Sequence, residues 1–553
     1  MLNHALLGVA AGGGYQMENS LLFRGAQYLT RTPASGGAIK SATFNVWLRL
    51  SDIAATQCLF FAGTDADNRD YAYFEGGPAG YTLTWLCLSA GVLQWVWRGA
   101  AKFRDPTGFV MLTFVRDLDN VSASGRLRVY LNGQLLTADS GTTVYPATTA
   151  SRWWGAATPH VVGFHTPNSL WYFRGILSEP VFVDGAALSP DVFGQIDPVT
   201  GSWRPKRVSG VDFGTNGFYL GRPWNSANLG NDASGRGNHW TPVGFAASDV
   251  VGDSPTNVFA TLNPIKGSLA ASSVYSSGNL VFTSTWPSTF ACGTTAIPAT
   301  GKWWFRYIFG NDIPDDFPRP WIGVVSAFGL RIVDADVVGP TPNSVPGSVC
   351  MGGTYTTGPR IYSSSAVVYS EVIAMRKGDT WDILIDRDAN TVVFMINGIQ
   401  FGPVVNGGMA AGELLPFIGC CTGMWNGSGF NQGPTMTATV DFGASGTQPP
   451  VAGFKALCTA NLPATTGQTS GTFTGNANAD GPCVFTGAVP ETLSVNGNAV
   501  IWGTHADKLA TGFKIRTASA AYNAGGANSW AVAYDKKPTV GPKTRAPANA
   551  QGN

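Results

Sequence analysis

In Thr43-Phe-Asn-Val-Trp-Leu-Arg-Leu the residues alternate between two faces, Phe44, Val46 and Leu48 on one and Asn45, Trp47 and Arg49 on the other. A period of two is that of a β-strand. Strands of this kind return at residues 81–88, 92–98 and 109–116. Arg126-Leu-Arg-Val-Tyr-Leu-Asn-Gly-Gln-Leu-Leu reads as strand, turn and return strand, because Asn-Gly supplies the two left-handed positions of a tight hairpin turn. Short strands at this spacing, separated by turn formers, predict an antiparallel β-sandwich over residues 20–195, after an N-terminal segment 1–19.

Residues 196–263 keep no period and are rich in Gly, Asn and Pro, as in Phe213-Gly-Thr-Asn-Gly-Phe-Tyr-Leu, so an ordered, loop-rich connector is expected there. Alternation resumes in Gly301-Lys-Trp-Trp-Phe-Arg-Tyr-Ile-Phe and Trp381-Asp-Ile-Leu-Ile-Asp-Arg-Asp. A second Asn-Gly hairpin stands in Thr391-Val-Val-Phe-Met-Ile-Asn-Gly-Ile-Gln-Phe, which predicts a second sandwich over 264–446. Residues 447–553 hold short strands, such as Cys483-Val-Phe-Thr and Ala499-Val-Ile-Trp-Gly, and a Pro/Lys/Ala/Asn tail expected to be loose. The expected fold class is all-β: two antiparallel sandwiches in tandem plus a smaller β-rich C-terminal region.

Composition supports that reading and narrows the function. A chain of 553 residues is too long for one core. Charged residues are only 12% of it against 70 glycines, a balance that suits tight turns better than a helical enzyme. A net charge of +1 gives no electrostatic footprint for nucleic acid, and no run of eighteen apolar residues predicts membrane insertion. The start, Met1-Leu-Asn-His-Ala-Leu-Leu, has no basic region ahead of its apolar patch and is read as not a signal peptide. The eight cysteines show no zinc-type spacing and are expected as reduced packing residues, with Cys458 and Cys483 the one pair worth checking for a bond.

With the strands in place, a family resemblance can be stated. Leu21-Leu-Phe-Arg-Gly-Ala-Gln-Tyr-Leu-Thr-Arg-Thr-Pro, followed by Thr43-Phe-Asn-Val-Trp-Leu, resembles the opening of the concanavalin A/laminin-G-like domains of bacteriophage structural proteins. Tyr130-Leu-Asn-Gly and Gly175-Ile-Leu-Ser-Glu-Pro-Val-Phe-Val-Asp-Gly resemble its closing half. Gly301-Lys-Trp-Trp-Phe, Trp321-Ile-Gly-Val, Gly378-Asp-Thr-Trp-Asp-Ile-Leu-Ile-Asp, Phe394-Met-Ile-Asn-Gly and Leu415-Pro-Phe-Ile resemble, in order, a SPRY domain. Gly453-Phe-Lys-Ala-Leu-Cys-Thr-Ala-Asn-Leu-Pro and Thr511-Gly-Phe-Lys-Ile-Arg look like the ends of phage appendage proteins. The resemblance implies a tail-fibre-like or other surface appendage of a virion, made in a bacterial cytoplasm. Its partners would be other virion proteins and a host surface polysaccharide, and its expected state a homo-oligomer, most simply a trimer. Strands 81–88 and 92–97, with almost no charge or Pro to guard an edge, point the same way.

Catalysis finds little support. Concanavalin-like folds also host glycosidases, which need two carboxylates flanking one bond. The six glutamates never lie within four residues of each other and Gly-x-Ser-x-Gly is absent, which leaves an Asp pair such as Asp382 and Asp386, alternate residues on a single strand face. Asp386 is expected instead to lead into the following turn. His160 and His165, five apart around the apparent strand Val161-Val-Gly-Phe, point to opposite faces, and Asp65-Ala-Asp-Asn-Arg-Asp lacks the Gly and Glu of a calcium loop, so neither metal nor cofactor is expected. Ligand stacking is assigned to Trp153, Trp154, Trp171 and Tyr172, which flank a Gly/Pro/Asn-rich stretch, whereas Trp95 and Trp97 are expected in the core. A polysaccharide-degrading enzyme on the same particle and a ligand-free decoration or connector protein are the alternative readings.

Overall fold

A computed structural model describes residues 15–533 except 39, 52–54, 78–79, 198–201, 268–272, 285–288, 313–318, 327–346, 354–359, 365, 372, 411, 413, 421–434, 463–469, 476, 478–482, 486–491, 502–503, 510–511, 518 and 525. The start of the chain and the basic tail at 536–545 therefore lie outside the described residues.

The first sandwich opens with β1 (Ser20–Arg24), β2 (Tyr28–Arg31), β3 (Ser41–Leu50), β4 (Gln57–Gly63), β5 (Arg69–Glu75) and β6 (Tyr81–Ser89). It continues through β7 (Val92–Phe103), β8 (Val110–Asp117), β9 (Leu127–Leu131), β10 (Gln134–Leu135), β11 (His160–Val162) and β12 (Arg174–Asp184). The short β13 (Gly194–Ile196), β14 (Trp203–Pro205), β15 (Phe218–Tyr219), β16 (Thr241–Val243) and β17 (Val250–Val251) follow. One sheet has the order β10-β9-β8-β3-β12-β1-β17, and the sheet facing it has the order β16-β2-β11-β4-β5-β6-β7. Phe44, Val46 and Leu48 of β3 point into the space between them with Phe60, Trp85 and Trp154. Ring pairs fill that space, Phe44 on Phe60 at 4.5 Å and Trp85 on Trp154 at 4.7 Å.

Both faces of β3 are buried. Trp47, on the side away from this core, packs with Met111, Ile176, Phe193, Trp203 and Tyr219. The residues expected as a connector supply that cover: β15 pairs with β12, β16 extends one sheet beyond β2, and β17 extends the other beyond β1. Turn-rich sequence here codes for a third layer and for part of the main core rather than a free link: Phe213 and Tyr219 pack on the back of β3, while Phe218, Trp224 and Trp240 enter the core between the sheets. At a bulge in β12, Glu179 adopts φ 45° and its carboxylate accepts from the hydroxyls of Tyr15 and Tyr219, pinning the N-terminal segment to this layer.

The two strands expected to be open edges are not open. β6 is paired on both sides, and β7 is capped by residues 137–144: Val96 and Val144 exchange backbone hydrogen bonds, and Ala100 N–H donates to the Thr137 carbonyl. Alternation reveals a strand without revealing its neighbours, so that ground for self-association is withdrawn.

The second sandwich comprises β18 (Leu262–Gly267), β19 (Ser273–Ser276), β20 (Val281–Ser284), β21 (Thr289–Gly293), β22 (Lys302–Phe309), β23 (Arg319–Ser326), β24 (Val349–Gly353) and β25 (Arg360–Ser363). β26 (Ala366–Ser370), β27 (Thr380–Asp386), β28 (Thr391–Ile396), β29 (Ile399–Asn406), β30 (Leu414–Cys420), β31 (Met436–Asp441) and β32 (Lys455–Ala456) complete it. Its sheets have the orders β18-β21-β30-β23-β24-β25-β26 and β19-β20-β31-β22-β27-β28-β29, with β32 parallel to β22. Trp303, Phe305, Tyr307, Trp381, Ile383 and Ile385 fill the core between them.

A seam joins the sandwiches. Gly252 N–H donates to the Ala444 carbonyl at 2.7 Å and Ala260 N–H to the Leu457 carbonyl at 2.9 Å. Arg49, on the back of the first sandwich, forms a buried ion pair with Asp253 at 2.8 Å and donates to the Phe259 carbonyl at 3.3 Å. Beyond the seam, β33 (Ser470–Gly475), β34 (Cys483–Phe485), β35 (Thr492–Val495), β36 (Asn498–Ala499), β37 (Ala506–Leu509), β38 (Gly512–Ile515) and β39 (Gly526–Ala533) form two small sheets around Leu493, Val495, Ala506, Ile515 and Trp530.

Candidate binding face

The face of the β4–β5–β6 sheet that points away from the core carries its own aromatic cluster. In β5 the inward positions are Asp70, Ala72 and Phe74, which leaves Arg69, Tyr71, Tyr73 and Glu75 on the outer face. Phe61 of β4 and Leu86 of β6 stand opposite Tyr71 across the ladder. The loop 163–173 folds over this face and adds Phe164, His165, Trp171 and Tyr172. It is held by backbone bonds from Cys58 N–H to the Trp171 carbonyl, 2.8 Å, and from Phe173 N–H to the Gly163 carbonyl, 2.8 Å.

The rings form two connected groups. Trp171 stacks on Tyr73 at 5.5 Å and 12°, and Tyr73 on Tyr71 at 5.1 Å; Tyr172 stacks on Phe164 at 4.3 Å, and Phe164 on Tyr28 at 5.0 Å. Tyr28, Tyr73, Leu86, Trp171 and Tyr172 are half-buried, while Phe61, Tyr71, Val161 and Phe164 beneath them are buried. Trp171 has φ 60°, a left-handed conformation that costs a bulky residue on the order of 1 to 3 kcal/mol and recurs at ligand clamps. A polar rim surrounds the rings: Arg98 pairs with Glu75, and the Arg69 guanidinium lies 5.1 Å from the Tyr71 ring.

Of the four residues assigned to ligand stacking, the structure brings two to this face. Trp171 and Tyr172 are there. Trp154 is 1% exposed between the sheets, its indole N–H donating to the Asp70 carbonyl at 2.8 Å, so as placed it has no free face to offer. Trp153 packs against the same core and donates to the Leu88 carbonyl at 2.8 Å. The reason is local: both backbone N–H groups at 153 and 154 point at the buried Asp70 carboxylate, which draws this loop inward. Tyr73, Tyr28 and Arg69 were missed. The available signal was Arg69-Asp-Tyr-Ala-Tyr-Phe-Glu, a strand with aromatics on both faces, which implies that neither face is simply solvated.

Asp70 also splits the acidic run in which it stands. It is buried against Arg116 and accepts from the Trp85 indole at 2.7 Å, and burial raises its pKa to about 6 against the pull of Arg116. Asp65 instead caps its own exposed turn, accepting from the N–H groups of Asp67 and Asn68. Among the described residues no three His, Cys, Asp or Glu side chains converge as a metal-holding group. His160, buried, accepts from Gly155 N–H and donates to the Thr158 carbonyl, while His165 lies under Trp171, so the two serve different neighbourhoods.

In the second sandwich Asp382 is buried and bidentate to Arg306, at 2.7 and 3.0 Å, with the Trp304 indole donating a third bond. Asp386 pairs with Lys302 at 3.0 Å and caps the turn through Asp388 and Ala389 N–H. Each carboxylate of this pair is committed to internal partners. Cys458 is a free, buried thiol at the seam, and the side chain of Cys483 lies outside the described residues. Among the described residues no helix is long and apolar enough to cross a membrane.

No family model matches the chain, and no curated protein matches it. Among solved structures, the SPRY domain of human HERC1 is similar over 32% of this chain and 96% of its own, at 14% identity and a TM-score of 0.24. A heptameric SAP-like pentraxin from Limulus polyphemus matches 31% of this chain and 78% of its own, at 17% identity and a TM-score of 0.24. A candidate carbohydrate-binding protein from Bacteroides ovatus matches 42% of this chain and 59% of its own, at 14% identity and a TM-score of 0.29. These are distant likenesses, and the class of the protein, an all-β chain of antiparallel sandwiches, stands on its own sheets.

Proposed function

We propose that this chain is a non-enzymatic adhesion protein whose first sandwich binds a glycan on the outer face of β5. The observation that carries this is the pair of parallel, partly exposed rings Trp171 and Tyr73, with the left-handed backbone at Trp171. Aromatic rings with a polar rim suit the apolar C–H faces and hydroxyl edges of sugars. A cluster of half-exposed aromatics on the outer face of a sheet is a feature that folding alone leaves unexplained. The sequence phrases that resemble phage appendages extend the proposal to a virion component binding a host surface polysaccharide, assembled as a homotrimer. Weak single contacts would then gain strength by repetition.

The test is retention of the full chain on immobilised bacterial surface polysaccharides. The wild type is expected to bind, and Trp171→Ala or Tyr73→Ala to weaken retention about tenfold or more, as for an interface anchor. Absence of binding to every polysaccharide tried would overturn the proposal. Release of reducing ends during the same incubation would replace it with an enzyme. Light scattering tests the assembly, where a stable monomer at micromolar concentration would remove the trimer.

A further inference from the structure

We infer that the glycan taken by this face is acidic, with a sugar carboxylate seated on Arg69. This rests on the reading of the Trp171–Tyr73 face as a glycan platform. Arg69 is the first residue of β5, on the same face as Tyr71, Tyr73 and Glu75. Its guanidinium carbon lies 5.1 Å from the Tyr71 ring, and Tyr71 in turn contacts Tyr73 and Trp171.

The other charges of the rim are already engaged. Glu75 is held by Arg98, Lys102 by the Thr82 hydroxyl, and the Asp65 carboxylate by its own turn. For Arg69, no Asp or Glu among the described residues lies within ion-pair distance, and its Nε is buried without a hydrogen-bond partner. Its Nη1 donates to Nε2 of His165 at a long 3.5 Å. Burial and the Arg69 charge hold that imidazole well below its ordinary pKa, so it stays neutral and cannot supply the missing anion.

A guanidinium without a carboxylate partner keeps its charge uncompensated, and a carboxylate offers the charge-assisted, two-oxygen partner that fits such a fork. A neutral sugar offers only single hydroxyls. From Arg69 to Glu75 the strand runs about 20 Å, room for several sugar rings between the cation and the far rim. A ligand with its carboxylate at the Arg69 end and its ring faces over Tyr73 and Trp171 would meet both the cation without a carboxylate partner and the half-exposed rings.

The experiment measures binding of the full chain to alginate, polygalacturonate and hyaluronate, each beside the same polymer with its carboxyl groups reduced to alcohols. Wild type is expected to prefer at least one native polymer over its reduced form by about tenfold, with the preference falling as salt rises. Arg69→Gln should remove the preference while retaining binding to the reduced polymer, and Trp171→Ala should weaken both. Equal binding of native and reduced polymers, lost in Trp171→Ala, would overturn the acidic ligand and leave the platform standing. Binding to none of the six would overturn both. Circular dichroism of each variant, expected to match wild type, separates lost contacts from lost folding.

Discussion

Trp153, Trp154, Trp171 and Tyr172 look alike in the sequence, yet the structure gives them three settings. Trp154 is a core ring, Trp153 a ring at the core margin, and Trp171 and Tyr172 belong to the outer face. Trp154→Ala is expected to cost about 3 to 5 kcal/mol, the range for emptying a large aromatic site. Trp171→Ala should cost less than about 2 kcal/mol, since the ring is half-buried and the left-handed backbone is strained with either residue. Urea denaturation of the two variants checks the order, and a larger loss at Trp171 would contradict it. Sequence could not sort these rings, because the deciding group is Asp70, more than eighty positions away.

Titration at this scale has opposing signs. Burial lowers the pKa of His160 to about 4 and that of His165 to about 3, from 6.5. The unfolded chain takes these protons near pH 6.5 and the folded chain does not, so their contribution is full above 6.5 and falls as the pH drops toward 4. Asp70 and Asp253, raised by burial from 3.8 to about 6, act in the other direction: acidification from 6 to 4 adds stability. Wild type is therefore expected to change little in stability across this window. His165→Gln removes one of the unfavourable terms, and between pH 7 and 4.5 it should gain roughly 2 to 3 kcal/mol relative to wild type. Thermal melts at the two pH values read this, and parallel pH profiles would count against a neutral buried imidazole.

Among the elements, the Asn-Gly hairpins were the most readable. Asn132–Gly133 and Asn397–Gly398 both have positive φ at the two turn positions and join β9 to β10 and β28 to β29. A third, Asn496–Gly497 between β35 and β36, went unremarked in the sequence because its flanking strands are so short. Their surroundings differ. A Cβ on Gly398 would meet nothing within 4 Å, whereas one on Gly133 would lie 2.6 Å from the Trp203 ring. Gly398→Ala is expected to cost about 1 kcal/mol for the left-handed strain alone, and Gly133→Ala clearly more, because the third layer must move. Chemical denaturation compares the two, and equal losses would show that Trp203 yields freely. Short strands such as β2 and β16 were beyond sequence reading for the same reason as β36, whereas Val161-Val-Gly-Phe, at β11, reads as a strand. β2 and β16 are held by tertiary pairing, and three or four residues carry too little pattern to announce themselves.

For the molecule as a whole, the tandem sandwiches were readable and the join was not. The two cores are separate, but Arg49 and Asp253 make a fully buried pair at the seam. Arg49→Ala leaves the buried Asp253 carboxyl without its cation, so that it must either stay charged alone or take up a proton, and about 3 to 5 kcal/mol should be lost. Calorimetry is expected to resolve two transitions in this variant where the wild type shows stronger coupling, and unchanged thermograms would make the seam incidental. The third layer has a consequence for biosynthesis. β1 gains its outer neighbour from β17, and the apolar back of β3 and β12, covered in part by Met17 and Phe193, is completed once residues 203–258 have been made. At ordinary translation rates that leaves an apolar surface waiting on the ribosome for several seconds after β12 emerges. A chain stopped at residue 195 should therefore aggregate while one ending at 260 stays dispersed, and this stretch of synthesis is where a ribosome-bound chaperone would find most to hold.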